Sequence, residues 1–105
     1  MSNPKSIELV LSCASWQEAQ TIADALLDKR LIACAEFMEV KSKYRWDDKL
    51  EEASEVKLIM ETVAGNFEKI EAEVARLHSY DTFVLYAVPI AHISESSAKW
   101  LEGQL

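Results

Sequence analysis

The chain has 105 residues, and its 18 acidic against 11 basic side chains give a net charge of −7, which argues against binding to nucleic-acid phosphates or to anionic membranes. No apolar run approaches the roughly 20 residues of a membrane-spanning helix, and two glycines and two prolines are too few for a linker between domains. We therefore expect one domain over residues 1–105. The segment MSNPKSIELVL lacks a charged head followed by an apolar stretch, which predicts a cytoplasmic protein with two reduced thiols.

The first third of the chain predicts a strand followed by a helix. Residues 7–13 are apolar enough for a central strand. Ser15 and Glu18 then spell a capping box, in which each side chain satisfies a free backbone N–H at a helix start. Apolar residues follow at helical spacing: Ala19, Ile22, Ala23, Leu26 and Leu27. We expect this helix to end near Lys29, because cations stabilise a helix C-terminus.

The middle of the chain predicts a long hairpin. Residues 31–46 change to a period of two, and residues 50–62 repeat that alternation after the polar turn Asp47-Asp48-Lys49. One face of the first arm carries Cys34, Glu36, Met38, Val40, Ser42, Tyr44 and Trp46. One face of the second arm carries Ser54, Val56, Leu58, Met60 and Thr62.

The last third predicts a helix, a strand and a short helix. Asn66 is the expected N-cap of the second helix. Its predicted buried stripe consists of Phe67, Ile70, Val74, Ala75 and Leu77. Residues 82–90 form the last expected strand, and a short helix begins near Ser94. The order βαββαβ followed by a small helix predicts an α+β, ferredoxin-like fold, with a four-stranded antiparallel sheet and helices on one face.

The predicted hairpin is longer than the body that carries it. Residues 31–46 extend roughly 50 Å at about 3.3 Å each, whereas a compact domain of this size is roughly 30–35 Å across. The tip should therefore project beyond the core of its own chain. Tyr44 and Trp46 at the tip would gain little stabilisation if they remained in water. We interpret the arm as reaching a neighbouring subunit in a closed ring. The alternative is a twisted or bulged hairpin that curls back over one monomer.

Short motifs spread over the chain resemble those of one known family. They are Leu31-Ile32-Ala33-Cys34-Ala35, Tyr44-x-Trp46-x-x-Lys49, Ser54-Glu55-Val56, Thr62, Leu77-His78-x-Tyr80, Pro89-Ile90 and Trp100-Leu101. In this order they resemble the CutA divalent-ion tolerance family. The resemblance implies a ferredoxin-like subunit in a homotrimer built through long hairpins, with a PII-like outline. It also implies a role linked to copper and other divalent cations, although some family members are associated with protein anchoring instead.

The chain departs from the family pattern at several positions. Glu39-Val40 replace a usual Pro-Gly pair, Asp48 replaces the hairpin glycine, and Glu61 stands where a lysine is expected. The family's His-Pro-Tyr-x-x-Pro-Glu reads here His78-Ser79-Tyr80-Asp81-Thr82-Phe83-Val84. These departures bear on the ligand chemistry more than on the scaffold.

Four residues are candidate metal ligands. Cys13 and Cys34 are expected at the end of one strand and the start of another, where they could approach in adjacent strands and offer soft thiolates suited to Cu(I). His78 and, by family analogy, Glu55 complete the set. The alternatives are that the cysteines act as small buried hydrophobes and that His78 is structural, near a helix C-terminus.

The remaining candidates would line a cleft between subunits: Tyr44, Trp46, Lys49, Glu61 and Tyr80. No Gly-rich phosphate loop, His-Glu-x-x-His motif or nucleophile–base set is evident, so we do not expect an enzyme. The favoured hypothesis is a cytoplasmic homotrimer that binds copper or another divalent cation in intersubunit clefts. The alternative is a PII-like scaffold or signalling adaptor for a protein or small ligand, with a degenerate metal site.

Overall fold

The structure, a computed structural model, describes residues 5–105. Four strands and three helices follow one another as β1 Ser6–Cys13, α1 Trp16–Asp28, β2 Cys34–Trp46, β3 Lys49–Val63, α2 Phe67–Leu77, β4 Leu85–Pro89 and α3 Glu95–Gly103, with a single 3₁₀ turn at Ala64–Asn66. No helix within residues 5–105 is both long enough and apolar enough to cross a membrane.

The four strands form one antiparallel sheet in the order β2-β3-β1-β4. This order confirms the predicted ferredoxin-like plan, because β1 and β3 lie in the centre and the hairpin lies at one side. The sheet has two unlike faces. One face packs against α1 and α2, and the core between them contains Leu9, Leu11, Leu58, Met60, Ile22, Leu26, Ile70 and Val74, all almost fully buried.

The other face, which we call the open face, lacks the cover of α1 and α2. Directly opposed residues of antiparallel strands share a face, so Val10 lies there with Ile59 and Tyr86, its register partners on β3 and β4. Met38 on β2 lies on the same face and is 51% exposed. Apolar side chains therefore remain in contact with water on this face.

The hairpin overhangs the sheet, as its length predicted. β1 pairs with β3 only as far as Val56, opposite Cys13. Beyond that point, residues 40–46 and 49–55 pair only with each other. The protomer is accordingly elongated, with extents of 49 × 26 × 22 Å.

A two-residue turn closes the hairpin. Trp46 pairs with Lys49, and Asp47 and Asp48 have φ angles of 50° and 62°. Positive φ at both central positions is the signature of a type I′ turn, whose twist matches that of the strands. Asp48 thus takes up the left-handed conformation although it is not glycine.

Two predicted strand boundaries were too generous. β2 begins at Cys34 rather than 31, because the chain first closes α1: Arg30 adopts a φ of 56°, and the N–H of Leu31 bonds to the carbonyl of Leu26. β4 begins at Leu85 rather than 82.

Two expectations for α2 were wrong. Asn66 makes no side-chain cap; its amide donates instead to the Leu31 carbonyl and the Thr62 hydroxyl, each at 3.2 Å. Ala75 is exposed, and the buried position beside Val74 belongs to Glu73. The carboxylate of Glu73 is paired with Lys29 at 2.8 Å and with Arg76, so two cations compensate its burial.

Candidate functional site

Three potential metal ligands meet where β1 ends. Cys13 is the last residue of β1, Glu18 lies in the first turn of α1, and His78 follows the last residue of α2. Their sulfur, carboxylate and imidazole ligand atoms lie within 4.8 Å of one another, the only such group of three found in residues 5–105. The connection from β1 to α1 is short, which brings Glu18 back beside the strand end. We call these three residues the Cys13 cluster.

Glu18 ties three segments together. Its N–H donates to Ser15 Oγ at 3.1 Å, which forms the Ser15 half of the predicted capping box, whereas its Oε2 accepts at 2.7 Å from the N–H of Ala14, one residue before the cap. Its Oε1 accepts from the N–H of Ser79 at 2.6 Å. Burial alone would raise the pKa of Glu18, but hydrogen bonds from Ser79 and Ala14 and the neighbouring His78 outweigh burial and lower it. Glu18 is therefore a firmly held carboxylate.

The imidazole of His78 is completely buried and engaged at both nitrogens. Its ring stacks on Phe83 at a centroid distance of 5.3 Å and makes a tilted contact with the ring of Tyr80 at 5.0 Å. Nδ1 accepts from the N–H of Tyr80 at 3.0 Å, and Nε2 lies 2.8 Å from the Ser12 carbonyl oxygen. Since a carbonyl only accepts, these contacts select the neutral tautomer with hydrogen on Nε2. The same Nε2 lies 3.7 Å from Glu18 Oε2.

The thiol of Cys13 is fully buried. Burial, followed by the negative charges of Glu18 and Glu55, raises the pKa of Cys13 to about 12. The sulfur therefore carries its proton at neutral pH, and a metal must displace that proton in order to bind.

Glu55 lies near the cluster but outside it. Its side chain is buried at the level where the hairpin leaves the sheet, and its Oε2 accepts a hydrogen bond from the Tyr80 hydroxyl at 3.2 Å. Burial, and next the charge of Glu55, raises the pKa of Tyr80. Tyr80 thus links two of the four predicted metal ligands. Its N–H donates to His78, and its hydroxyl donates to Glu55.

Cys34 is remote from Cys13, contrary to the expectation that the two would approach. β3 separates β1 from β2, so their strands are not adjacent. Along β3, Cys13 pairs with Val56 and Cys34 with Glu61, five positions apart and thus roughly 16 Å along the strand. The Cys34 thiol instead donates to Glu61 Oε2 at 3.0 Å. Burial first, and then this carboxylate, raises the pKa of Cys34 to about 12.

The five predicted cleft residues fall in three places on one protomer. Tyr44, Trp46 and Lys49 lie at the exposed hairpin tip. Tyr80 contacts Glu55 at the base of the hairpin, and Glu61 contacts Cys34 further along β3. A single chain therefore does not assemble them into one cleft.

Glu18 and Ser79 were missed as site residues. The capping-box spelling identified Glu18 as a helix-start residue, and that role uses only one of its oxygens. Its second oxygen binds the N–H of Ser79, 61 positions away. No local pattern signals a contact across that separation, nor one made by a backbone N–H.

The donor set of the Cys13 cluster suits a transition metal. Thiolate favours soft ions such as Cu(I), while imidazole and carboxylate extend the range to divalent ions. Every buried side-chain nitrogen or oxygen in residues 5–105 has a hydrogen-bond partner within the protein. The chemistry therefore fits a metal, but a metal would compete with existing bonds.

Comparison with known proteins places the chain among divalent-cation tolerance proteins. The divalent-cation tolerance protein CutA of Pyrococcus horikoshii is 34% identical over 86 residues, which cover 82% of this chain and 84% of that protein. The protein of the same name from Archaeoglobus fulgidus is 33% identical over 94 residues, covering 90% and 92%.

Solved structures agree with this assignment. A structure of the "periplasmic divalent cation tolerance protein CutA" from Archaeoglobus fulgidus superposes with a TM-score of 0.92 at 31% identity, covering 94% of this chain and 97% of that one. CutA1 from Oryza sativa, at 22% identity, reaches a TM-score of 0.93 over 96% and 94% of the two chains and shares the fold. Finally, the profile of the CutA1 divalent ion tolerance proteins matches residues 7–104. With almost the whole chain covered by both sequence and fold, the protein belongs to the CutA1 divalent ion tolerance family.

Proposed function

We propose that this protein is a cytoplasmic homotrimer that binds divalent metal ions, copper among them, and that this binding underlies a role in metal tolerance. The observation that carries the metal part is the Cys13 cluster, in which a thiol, a carboxylate and an imidazole lie within 4.8 Å of one another. Family membership supports the link to divalent cations. The periplasmic location named for the Archaeoglobus fulgidus protein is a property of that protein.

Two features support assembly with further copies of the chain. Within residues 5–105, no third strand pairs with the hairpin beyond Val56, and the hairpin ends in Tyr44 and Trp46, which are 41% and 57% exposed. The open face leaves Met38, Tyr86 and Val88 half exposed. Unpaired strand edges and apolar sheet faces are usually covered in stable proteins. A ring of three protomers would cover both, and would bring tip residues next to Tyr80 or Glu61 of another copy.

The chemistry of the cluster sets how metal binding should depend on pH. Because the pKa of Cys13 is raised to about 12, the thiol proton must be displaced by the metal at neutral pH. Apparent affinity should therefore rise with pH from 6 to 8. In this proposal the protein acts without catalysis, since burial raises the pKa of both thiols to about 12 and both therefore keep their protons at neutral pH.

Metal titration by calorimetry tests the proposal. Cu(I) should be used under reducing conditions and Cu(II) separately, on the wild type and on Cys13→Ser, His78→Asn and Cys34→Ser. We expect the first two variants to lose at least roughly tenfold in affinity, whereas Cys34→Ser, the matched thiol control, binds as the wild type does. Equal affinity in all four proteins would show that the cluster is not the site.

Light scattering at micromolar protomer concentration tests the assembly. We expect a mass of three chains for the wild type, and a smaller mass after Tyr44→Lys and Trp46→Lys are combined. The matched control is Leu27→Lys, at an exposed apolar residue on α1. A monomeric wild type would contradict the trimer.

A second candidate, a trimeric PII-like scaffold or adaptor, is favoured by Cys34 and Glu61. This carboxylate stands where the family pattern has a lysine, and it holds the Cys34 thiol in a hydrogen bond rather than leaving it free as a ligand. A wild-type protein that forms the trimer but binds neither copper ion would favour this alternative over metal binding.

A further inference from the structure

The atoms that the Cys13 cluster would offer to a metal also hold the segment after α2 in place through hydrogen bonds. Glu18 Oε1 accepts from the N–H of Ser79 at 2.6 Å, and His78 Nδ1 accepts from the N–H of Tyr80 at 3.0 Å. We call residues 79–82 the Tyr80 segment. Further along, the N–H of Ser12 donates to the carbonyl of Val84 at 3.2 Å, which anchors the far end independently of the cluster.

Metal binding through His78 is incompatible with the position of Tyr80. Nε2, the ring nitrogen near Glu18, carries the hydrogen that it donates to Ser12. A metal on Nε2 requires a lone pair there, so the hydrogen must move to Nδ1. Nδ1–H would then face the N–H of Tyr80 across 3.0 Å, donor against donor. A metal on Nδ1 would displace the same N–H directly.

Glu18 leads to the same result. Its two oxygens already serve the N–H groups of Ala14 and Ser79. A bound cation draws charge from the carboxylate and so weakens the charge-assisted bond that retains Ser79. Both ties of the Tyr80 segment therefore weaken when the cluster takes a metal.

Release of this segment also changes the hydrogen bonding and the exposure of Glu55. The hydroxyl of Tyr80 bonds to Glu55, which is only 8% exposed. When the backbone of Tyr80 withdraws from His78, this hydroxyl is drawn away as well. Glu55 then lies uncovered at the base of the hairpin.

We infer that metal at the Cys13 cluster and the closed Tyr80 segment exclude each other, so that metal binding opens the segment and uncovers Glu55. This inference rests on the proposed function, namely that a metal binds the Cys13 cluster. The proton of the Cys13 thiol passes to solvent on binding, and the hydrogen of His78 stays on the ring when it moves between nitrogens. Ser79 and Tyr80 act as positioning residues that set the metal affinity without contacting the metal.

Two substitutions loosen the segment in different ways. Tyr80→Phe removes the bond to Glu55 and keeps both backbone N–H groups. Ser79→Pro removes the N–H that binds Glu18. The backbone of His78, with φ −76° and ψ 141°, already has the extended conformation that a following proline favours. Tyr86→Phe is the matched control for loss of a tyrosine hydroxyl, because Tyr86 lies half exposed on β4.

Cd(II), a soft ion without redox chemistry, is the probe for a calorimetric titration of the full chain under reducing conditions. Loss of a single constraining hydrogen bond should tighten Cd(II) binding roughly fivefold in Tyr80→Phe, and by roughly tenfold or more in Ser79→Pro, where the lost bond is to a charge. Tyr86→Phe should stay within about twofold of the wild type. Hydrogen exchange of the Tyr80 amide should accelerate at least roughly tenfold in saturating Cd(II), because its acceptor is lost.

The outcomes separate this inference from the function on which it rests. If the wild type binds Cd(II) no better than Cys13→Ser does, the cluster is not a metal site and both fall. If binding depends on Cys13 but the Tyr80 amide exchanges at its metal-free rate and both loosening variants keep wild-type affinity, the metal site stands and the coupling is overturned.

Discussion

Glu61 holds the thiol of Cys34, whose sulfur lies 3.0 Å from the carboxylate oxygen across the β2–β3 ladder. Burial and this carboxylate together raise the pKa of Cys34 to about 12. Replacing Glu61 by lysine removes the negative acceptor and adds a positive charge, so the pKa should fall, although burial persists. We expect Glu61→Lys to increase the rate of Cys34 alkylation at pH 8 by at least roughly tenfold, measured by mass spectrometry. Glu68→Lys is the charge control, because Glu68 is exposed on α2 and does not contribute to the pKa of Cys34. An unchanged rate in Glu61→Lys would contradict the prediction.

Thr62 and Asn66 together stabilise the end of the link between α1 and β2. The buried Thr62 hydroxyl donates to the Leu31 carbonyl at 2.5 Å and accepts from the Asn66 amide at 3.2 Å. Thr62→Val keeps the shape but leaves that amide with one partner fewer, so we expect the free energy of unfolding to drop by about 1–2 kcal/mol. Urea unfolding at fixed protomer concentration measures this. Thr82→Val at an exposed position should change stability by less than about 0.5 kcal/mol.

Acid should weaken the joint between α1 and α2. Hydrogen bonds from Arg76 and then Lys29 lower the pKa of Glu73 to about 2, from an ordinary value of 4.5. A depressed folded-state pKa means that the stabilisation is fully present above pH 4.5 and is lost as the pH falls from 4.5 towards 2. We expect Glu73→Gln to show a smaller loss of unfolding free energy between pH 6 and pH 3 than the wild type. Glu68→Gln, on the same helix but exposed, should follow the wild-type curve; parallel curves for all three proteins would refute this role of Glu73.

The tip of the hairpin should accept glycine with a gain in stability. Asp48 has a φ of 62°, which is unfavourable for any residue with a Cβ. We expect Asp48→Gly to raise the free energy of unfolding by about 0.5 kcal/mol. Glu51→Gly, also in the overhanging hairpin but in extended backbone, should instead lower it by about 0.5–1 kcal/mol. Destabilisation by Asp48→Gly would mean that the aspartate side chain contributes a contact that outweighs its backbone strain.

Much of the fold could be predicted because local patterns carry it. The alternation that puts Val56, Leu58, Met60 and Thr62 on one face is confirmed by their burial. The Ser15 side chain caps α1 as its spacing to Glu18 indicated, although the Glu18 carboxylate binds the N–H of Ala14 rather than that of Ser15. Asn66 was misjudged, because a residue with capping chemistry also serves as a donor to distant groups, and here the Leu31 carbonyl and Thr62 hydroxyl took its amide.

The candidate site was only partly predictable, for a physical reason. Cys13 and His78 come together through the packing of a strand end against a helix end, and His78 was recognised only as a ligand type near such an end. The separation of Cys34 from Cys13 depends on the order of the strands. We expected β1 and β2 to be adjacent, but β3 lies between them. Ser79 contributes a backbone N–H, and its residue type does not reveal this contribution.

The freely projecting part of the hairpin has a consequence for how the chain tolerates insertions and deletions. Residues 40–46 and 49–55 pair only with each other, so adding or removing one residue pair per arm leaves every contact of the helix-covered core in place. An odd change in a single arm would turn its remaining side chains to the opposite face, because successive residues alternate. Natural insertions and deletions in the hairpin should therefore add or remove the same number of residues in both arms. The hairpin can then become longer or shorter while the residues of the core stay unchanged.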